Sequence, residues 1–126
     1  MTNGSQGKTI LIVEDDEDIL SDLNELLTGE GYNVLCAENG QIAFNLLHSL
    51  KVLPSVVLLD IMMPVMDGWQ FRILQTQEPK FARIPIVVMT ADGQAPQKAA
   101  KMNAPGYVQK PIDVEKLLAT IIRVAP

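Results

Sequence analysis

Histidine and cysteine are almost missing from this chain of 126 residues, which holds one of each. A lone cysteine forms no internal disulfide. Cys36 falls in the apolar run Val34-Leu35-Cys36-Ala37, where a small buried hydrophobe is expected rather than a redox switch. His48 lies in a segment of helical period and is expected on a solvated helix face. No cluster of Lys or Arg is present, and 10 basic against 15 acidic residues leave a net charge of -5, which argues against a nucleic-acid surface. No apolar stretch is long enough to cross a bilayer, and Met1 to Lys8 is polar, unlike a secretory leader. A cytoplasmic location without membrane association is therefore expected. No internal repeat occurs. The length favours one domain with a single core, expected over residues 8–124, after a flexible tail over residues 1–7.

What the chain does have is regular alternation. Ile10-Leu11-Ile12-Val13 is a strand-like run, and Leu20, Leu23 and Leu27 then recur at helical spacing, with Gly29 and Gly31 near the stop. Tyr32 to Ala37 reads as a second strand, and Ala43, Leu46, Leu47 and Leu50 mark a second helix. Val56-Val57-Leu58-Leu59 follows Pro54, and Gly68 to about Gln77 gives a third helix. Ile86-Val87-Val88-Met89 precedes a short fourth helix, Ala95 to Met102. Gly106 to Gln109 leads into a last helix striped by Val114, Leu117, Leu118, Ile121 and Ile122. Five such alternations predict a parallel sheet with helices on both faces. Near-continuous Ile, Val and Leu in strands one, three and four suits positions covered on both sides.

The strand ends carry the chemistry. The first run ends in Glu14-Asp15-Asp16, the third in Asp60, the fourth in Thr90-Ala91 and the fifth in Lys110-Pro111. Each alone has an ordinary explanation: acids at a helix N-terminus, a turn at Asp67-Gly68, a strand-end hydroxyl, a solvated lysine. Sheets of this type bring their carboxyl ends together, and ligands sit there. Carboxylates gathered at such an edge repel by roughly 4 kcal/mol per pair at about 4 Å and an effective dielectric near 20. A divalent cation with oxygen ligands relieves that repulsion, and Mg2+ suits two or three carboxylates with a carbonyl. An aspartate can attack phosphorus to form an acyl phosphate. Such a transfer needs in-line placement and neutralised equatorial oxygens, which Lys110, Thr90 and a metal could supply, while Ala91 leaves room.

Ile10 to Asp16, Leu59-Asp60-Ile61-Met62-Met63-Pro64 with Met66-Asp67-Gly68, Met89-Thr90-Ala91, and Tyr107-Val108-Gln109-Lys110-Pro111 together resemble the receiver domain of two-component response regulators. The resemblance spans Lys8 to about Val124 and includes single-domain, chemotaxis-regulator-like forms. It implies a flavodoxin-like, doubly wound (βα)5 fold with strand order 2-1-3-4-5, the order given for this class of sheet. It also implies that Asp60 accepts a phosphoryl group from a phosphohistidine on a sensor histidine kinase or histidine phosphotransfer protein. Mg2+ (or Mn2+) would be held by Glu14, Asp15, Asp60 and the backbone carbonyl of Met62, with Asp15 more direct than Glu14. Thr90 and Lys110 would grip the phosphoryl oxygens, with Pro111 in the family's cis position. Thr90 and Tyr107 would form the switch, the ring moving inward as the threonine is drawn to phosphate. The change would be read by a downstream effector protein on the face of the fourth helix, fifth strand and fifth helix, in a monomer or a weak phosphorylation-dependent dimer. Ile19, with Asp16 and Asp22, is a candidate for kinase contact.

This sequence departs from the pattern in places. Pro96 and Pro105 crowd the stretch between Thr90 and Tyr107, so the fourth helix is expected to be short or irregular. Asn103-Ala104 stands where Gly-Ala is usual, and Met62 and Asp92 occupy variable positions flanking the site. Two other functions are weaker. A phosphatase turning over an aspartyl phosphate, of the haloacid-dehalogenase type, needs a second acid where Met62 stands, so no enzyme beyond self-phosphorylation and dephosphorylation is expected. A flavin-binding protein needs Ser, Thr and Gly in the first loop, where Glu14-Asp15-Asp16 would repel phosphate.

Overall fold

A computed structural model describes residues 7–126. All of the expected tail except Gly7 therefore lies outside the described residues. The elements follow in strict alternation: β1 (Thr9–Val13), α1 (Glu17–Gly29), β2 (Asn33–Ala37), α2 (Gly40–Ser49), β3 (Val56–Asp60), α3 (Gly68–Gln77), β4 (Ile86–Thr90), α4 (Ala95–Met102), β5 (Gly106–Gln109) and α5 (Val114–Val124). The five strands are parallel in the order β2-β1-β3-β4-β5, the flavodoxin-like arrangement expected.

Side-chain alternation along the inner strands builds two cores. Leu11, Val13, Val57, Leu59, Ile86 and Val88 point to the face covered by α2, α3 and α4. Ile10, Ile12, Val56, Leu58, Val87 and Met89 point to the other, where Leu23 and Leu27 of α1 and Leu117 and Ile121 of α5 cover them. Burial on both faces is what these unbroken apolar runs required. α4 is short, as expected, with eight residues, but it is regular. Pro96 stands in its first turn, where a missing N–H costs nothing, and Asn103 closes it at φ 56°, a left-handed position that asparagine tolerates.

One expectation fails. Cys36 is exposed, not buried. β2 is an edge strand paired with β1 alone, and its pattern of burial is only partial, so an apolar sequence there does not guarantee cover on both sides. Partial desolvation still raises the Cys36 thiol above its ordinary pKa. His48 is exposed as expected, yet its ring also lies edge-on to Phe44 at 4.8 Å and Phe81 at 4.9 Å.

Candidate functional site

The strand order reverses between β1 and β3, so the end of β1 stands beside the end of β3, with Val13 opposite Leu59. Glu14 and Asp60 are therefore neighbours before any side chain is considered. β4 lies on the other flank of β3, with Met89 opposite Asp60, and Thr90 is its last residue. The Lys110 amide donates to the Thr90 carbonyl at 2.9 Å, which brings the β5 end to the same edge.

Side chains complete the cluster. Glu14, Asp15 and Asp60 each offer a carboxylate oxygen, and these atoms lie within 4.8 Å of one another. Glu14 and Asp60 are 1% and 4% exposed, while Asp15 faces solvent. Lys110 Nζ reaches across from β5 to donate to Glu14 Oε1 at 2.7 Å and stands 3.5 Å from Asp60 Oδ2. The Met62 N–H donates to Asp60 Oδ1 at 3.1 Å. Asp16, third of the acids, does other work. Its carboxylate caps α1 by accepting from the Asp18 and Ile19 amides, and its own N–H donates to Glu14 Oε2 at 3.1 Å.

The electrostatics follow from this crowding. Burial, then the hydrogen bond and negative charge of Glu14, push the Asp60 carboxyl up to about 7, against the opposing pull of Lys110 and the Met62 amide. Burial alone would lower the Lys110 ammonium. Its bond to Glu14 and the charge of Asp60 outweigh that and leave it above its usual value. Three acids share a single ammonium, so the pocket holds an excess of negative charge. Hard oxygen donors packed this tightly, two of them buried, fit a small divalent cation better than any neutral ligand.

Thr90 is 1% exposed, and its hydroxyl oxygen accepts a long 3.5 Å bond from the Asp92 amide. Tyr107, on β5, is 46% exposed. Asp92 pairs with Lys98 of α4; that bond, followed by the Gln94 amide, holds its carboxyl below the usual range. Met62 is 70% exposed, and the Lys110–Pro111 peptide is cis. Ile19 is half-buried, in a cleft of about 370 Å³ with Asp22, Leu23, Ile112 and Val114, which Lys110 borders from the acidic side.

Gly68 has a role its turn-like sequence understates. A Cβ there would stand 2.8 Å from the Ile61 Cα and 2.9 Å from the Asp60 carbonyl oxygen. Its amide donates to the Ile61 carbonyl at 2.9 Å, so the start of α3 closes directly on the backbone that bears Asp60. Arg72 was not anticipated at all. From α3 its Nε and Nη2 donate to the Met102 and Asn103 carbonyls at 3.0 Å each, capping the far end of α4. Its Nη1 donates to Gln75, whose buried amide in turn donates to the Phe81 and Ile84 carbonyls.

Comparison with known proteins agrees with this arrangement. The chain is 37% identical over 114 residues to protein PilH of Pseudomonas aeruginosa, covering 89% of this chain and 93% of that one. It is 33% identical over 114 residues to the protein named "Probable transcriptional regulator ycf29" of Porphyra purpurea, covering 89% of this chain and 54% of that one. The solved chemotaxis response regulator CheY4 of Vibrio cholerae superposes with a TM-score of 0.83 at 28% identity, over 93% of this chain and 98% of that one. The family model described as response regulator receiver domain matches residues 10–122. On that match, and on the sheet that gathers these strand ends, the chain belongs to the receiver domains of two-component response regulators.

Proposed function

We propose that Asp60 is the phosphoacceptor of this receiver domain. The P–N bond of a phosphohistidine breaks as an O–P bond forms to the Asp60 carboxylate. The observation that carries this reading is the position of Lys110 Nζ, bonded to Glu14 and 3.5 Å from Asp60 at a three-carboxylate edge. One positive group already faces the only acid that ends the central strand. On phosphorylation, Lys110 and the Thr90 hydroxyl serve the phosphoryl oxygens.

Receiver domains bind Mg2+ at an acidic pocket, and here Glu14, Asp15, Asp60 and the Met62 carbonyl are the groups that would hold it. When bound, the ion neutralises charge on the carboxylates and on the transferred group. The Asp60 carboxyl, raised to about 7 by burial and by Glu14, needs such neutralisation to be fully ionised near neutral pH.

Receiver domains work with histidine kinases or phosphotransfer proteins and with downstream effectors. For the phosphodonor, the cleft lined by Ile19, Asp22, Leu23, Ile112 and Val114 offers an apolar seat next to Lys110. For the effector, exposed Tyr107 stands beside Lys116 and Arg123 on the β5–α5 surface. Tyr107 is the ring expected to turn inward once Thr90 is drawn toward a phosphoryl group. No helix among the described residues is long and apolar enough to cross a membrane; the family match, not that absence, supports a cytoplasmic location.

Incubation with acetyl phosphate and Mg2+ tests the reading by intact mass. The chain should gain one phosphoryl group, and Asp60→Ala should gain none. Absence of labelling under saturating donor, or equal labelling of the variant, rejects it.

A further inference from the structure

The loop between β3 and α3 makes a turn that is costly in itself. The Met66 amide donates to the Pro64 carbonyl, two residues back, at 2.7 Å, and Val65 between them holds φ at 67°. A bond closed over three residues with positive φ at the centre is a γ-turn of the rare, strained kind. The strain is larger still for a β-branched residue such as valine. Val65 is 79% exposed, so its own packing offsets little of that cost. The turn has to be held from outside.

Two contacts hold it. Before the turn, Met63 is buried in the core beneath α2 and α3. After it, the Met66 carbonyl accepts from the Gly40 amide at 3.1 Å, so one of the free N–H groups at the start of α2 is used on the loop. Gly40 is helical and its φ is not positive, so the backbone does not require glycine there. Space does. A Cβ at Gly40 would stand 2.8 Å from the Met66 carbonyl oxygen and 2.9 Å from the Met66 Cγ. Helix propensity alone would favour alanine at this position. This glycine serves the loop, not the helix.

The same loop bears backbone groups of the site. The Met62 amide donates to Asp60 Oδ1 at 3.1 Å, and the Met62 carbonyl is among the groups that would hold a cation. We propose that Gly40 is a positioning residue for this site. Through it α2 closes on Met66, holds the strained turn at Val65 and so fixes the Met62 backbone against Asp60. The role rests on the reading of Asp60 as a phosphoacceptor beside a cation site. Gly40→Ala would push Met66 away, let the turn relax and shift Met62.

Calorimetric titration of the whole chain with Mg2+, together with amide exchange in the metal-free chain, tests the proposal. Gly40→Ala should weaken Mg2+ binding about 10- to 100-fold, the range for losing a group that orients a ligand. Without metal, exchange should quicken at the Met62 and Met66 amides while β1 and β3 keep their protection. Asparagine tolerates positive φ, so Val65→Asn relieves the strain. Added to Gly40→Ala it should restore most of the lost affinity, and alone it should leave affinity unchanged. A merely structural glycine would give no such rescue, since a disturbed α2 is not mended at Val65. Equal affinity in Gly40→Ala and the parent overturns the proposal, as does exchange that quickens uniformly, or a double variant no better than Gly40→Ala. A parent that binds no Mg2+ and takes no phosphoryl group overturns the Asp60 reading as well. A parent labelled at Asp60 whose Gly40→Ala variant binds Mg2+ equally overturns the positioning role alone. Should Gly40→Ala misfold, Met66→Ala opens the same contact from the loop side and should show the same loss and the same rescue; unchanged Mg2+ affinity there overturns the role.

Discussion

Asp60 shows how one residue can work against the fold that displays it. In the unfolded chain its carboxyl titrates near the ordinary 3.8, and in the fold burial and Glu14 push it up to about 7. Between these values the folded state holds the extra proton, so stability falls as pH rises through that window and the deficit is constant above it. Asp60→Asn removes the titration. In metal-free buffer its thermal stability relative to the parent should grow from about pH 4 to about pH 7 and then level off. The gain should be on the order of 1–2 kcal/mol, below the full shift because water reaches the cluster beside exposed Asp15. Thermal melts across pH check this. A gain independent of pH would show that Asp60 carries no such burden. The residue was visible in the sequence as the acid ending a fully apolar run. Its raised pKa was not, because that depends on how closely Glu14 stands across the strand gap.

At the scale of elements, α4 is the piece whose anchoring the sequence conceals. Its N-cap residue, Gln94, makes no side-chain capping bond, and the helix has only eight residues, too few to persist alone. Arg72 supplies the missing hold from a different helix by bonding the carbonyls of Met102 and Asn103. Arg72→Met keeps the aliphatic stem but removes the donors, leaving those carbonyls short of partners. A loss of about 1–3 kcal/mol is expected, with amide exchange quickening in α4 before β4. Uniform acceleration across the chain would count against a local anchor. The position of α4 was legible as Ala95 to Met102, with Pro96 in its first turn and Pro105 beyond its end. Its partner was not, since Arg72 reads simply as a charged residue on an amphipathic helix.

At the scale of the molecule, the site belongs to no single segment. Glu14 and Lys110 come from opposite ends of the chain, and the parallel sheet sets them 2.7 Å apart. The resulting negative excess stores a cost that a cation can remove. Added Mg2+ should therefore raise the melting temperature by several degrees, about 3 kcal/mol of stabilisation at a hundredfold excess over Kd. The effect should shrink at about pH 5, where protons compete, and in Asp60→Asn. Calorimetry with and without chelator checks it, and an equal shift in the variant would place the ion elsewhere.

The sequence by itself determined the fold class and which polar side chains stand at the strand ends. Apolar runs of strand length, alternating with helical stripes, leave a doubly wound sheet as the economical way to bury both faces. Chemistry-bearing side chains at the ends of those runs must then gather at one edge. Tertiary structure alone decided what depends on distance and on edges. Cys36 is exposed because β2 has one neighbour, Gly68 is needed because α3 starts against the Asp60 backbone, and Val65 is strained because the loop turns sharply there. Local pattern fixes which face a side chain takes; only the packed molecule fixes what stands opposite it.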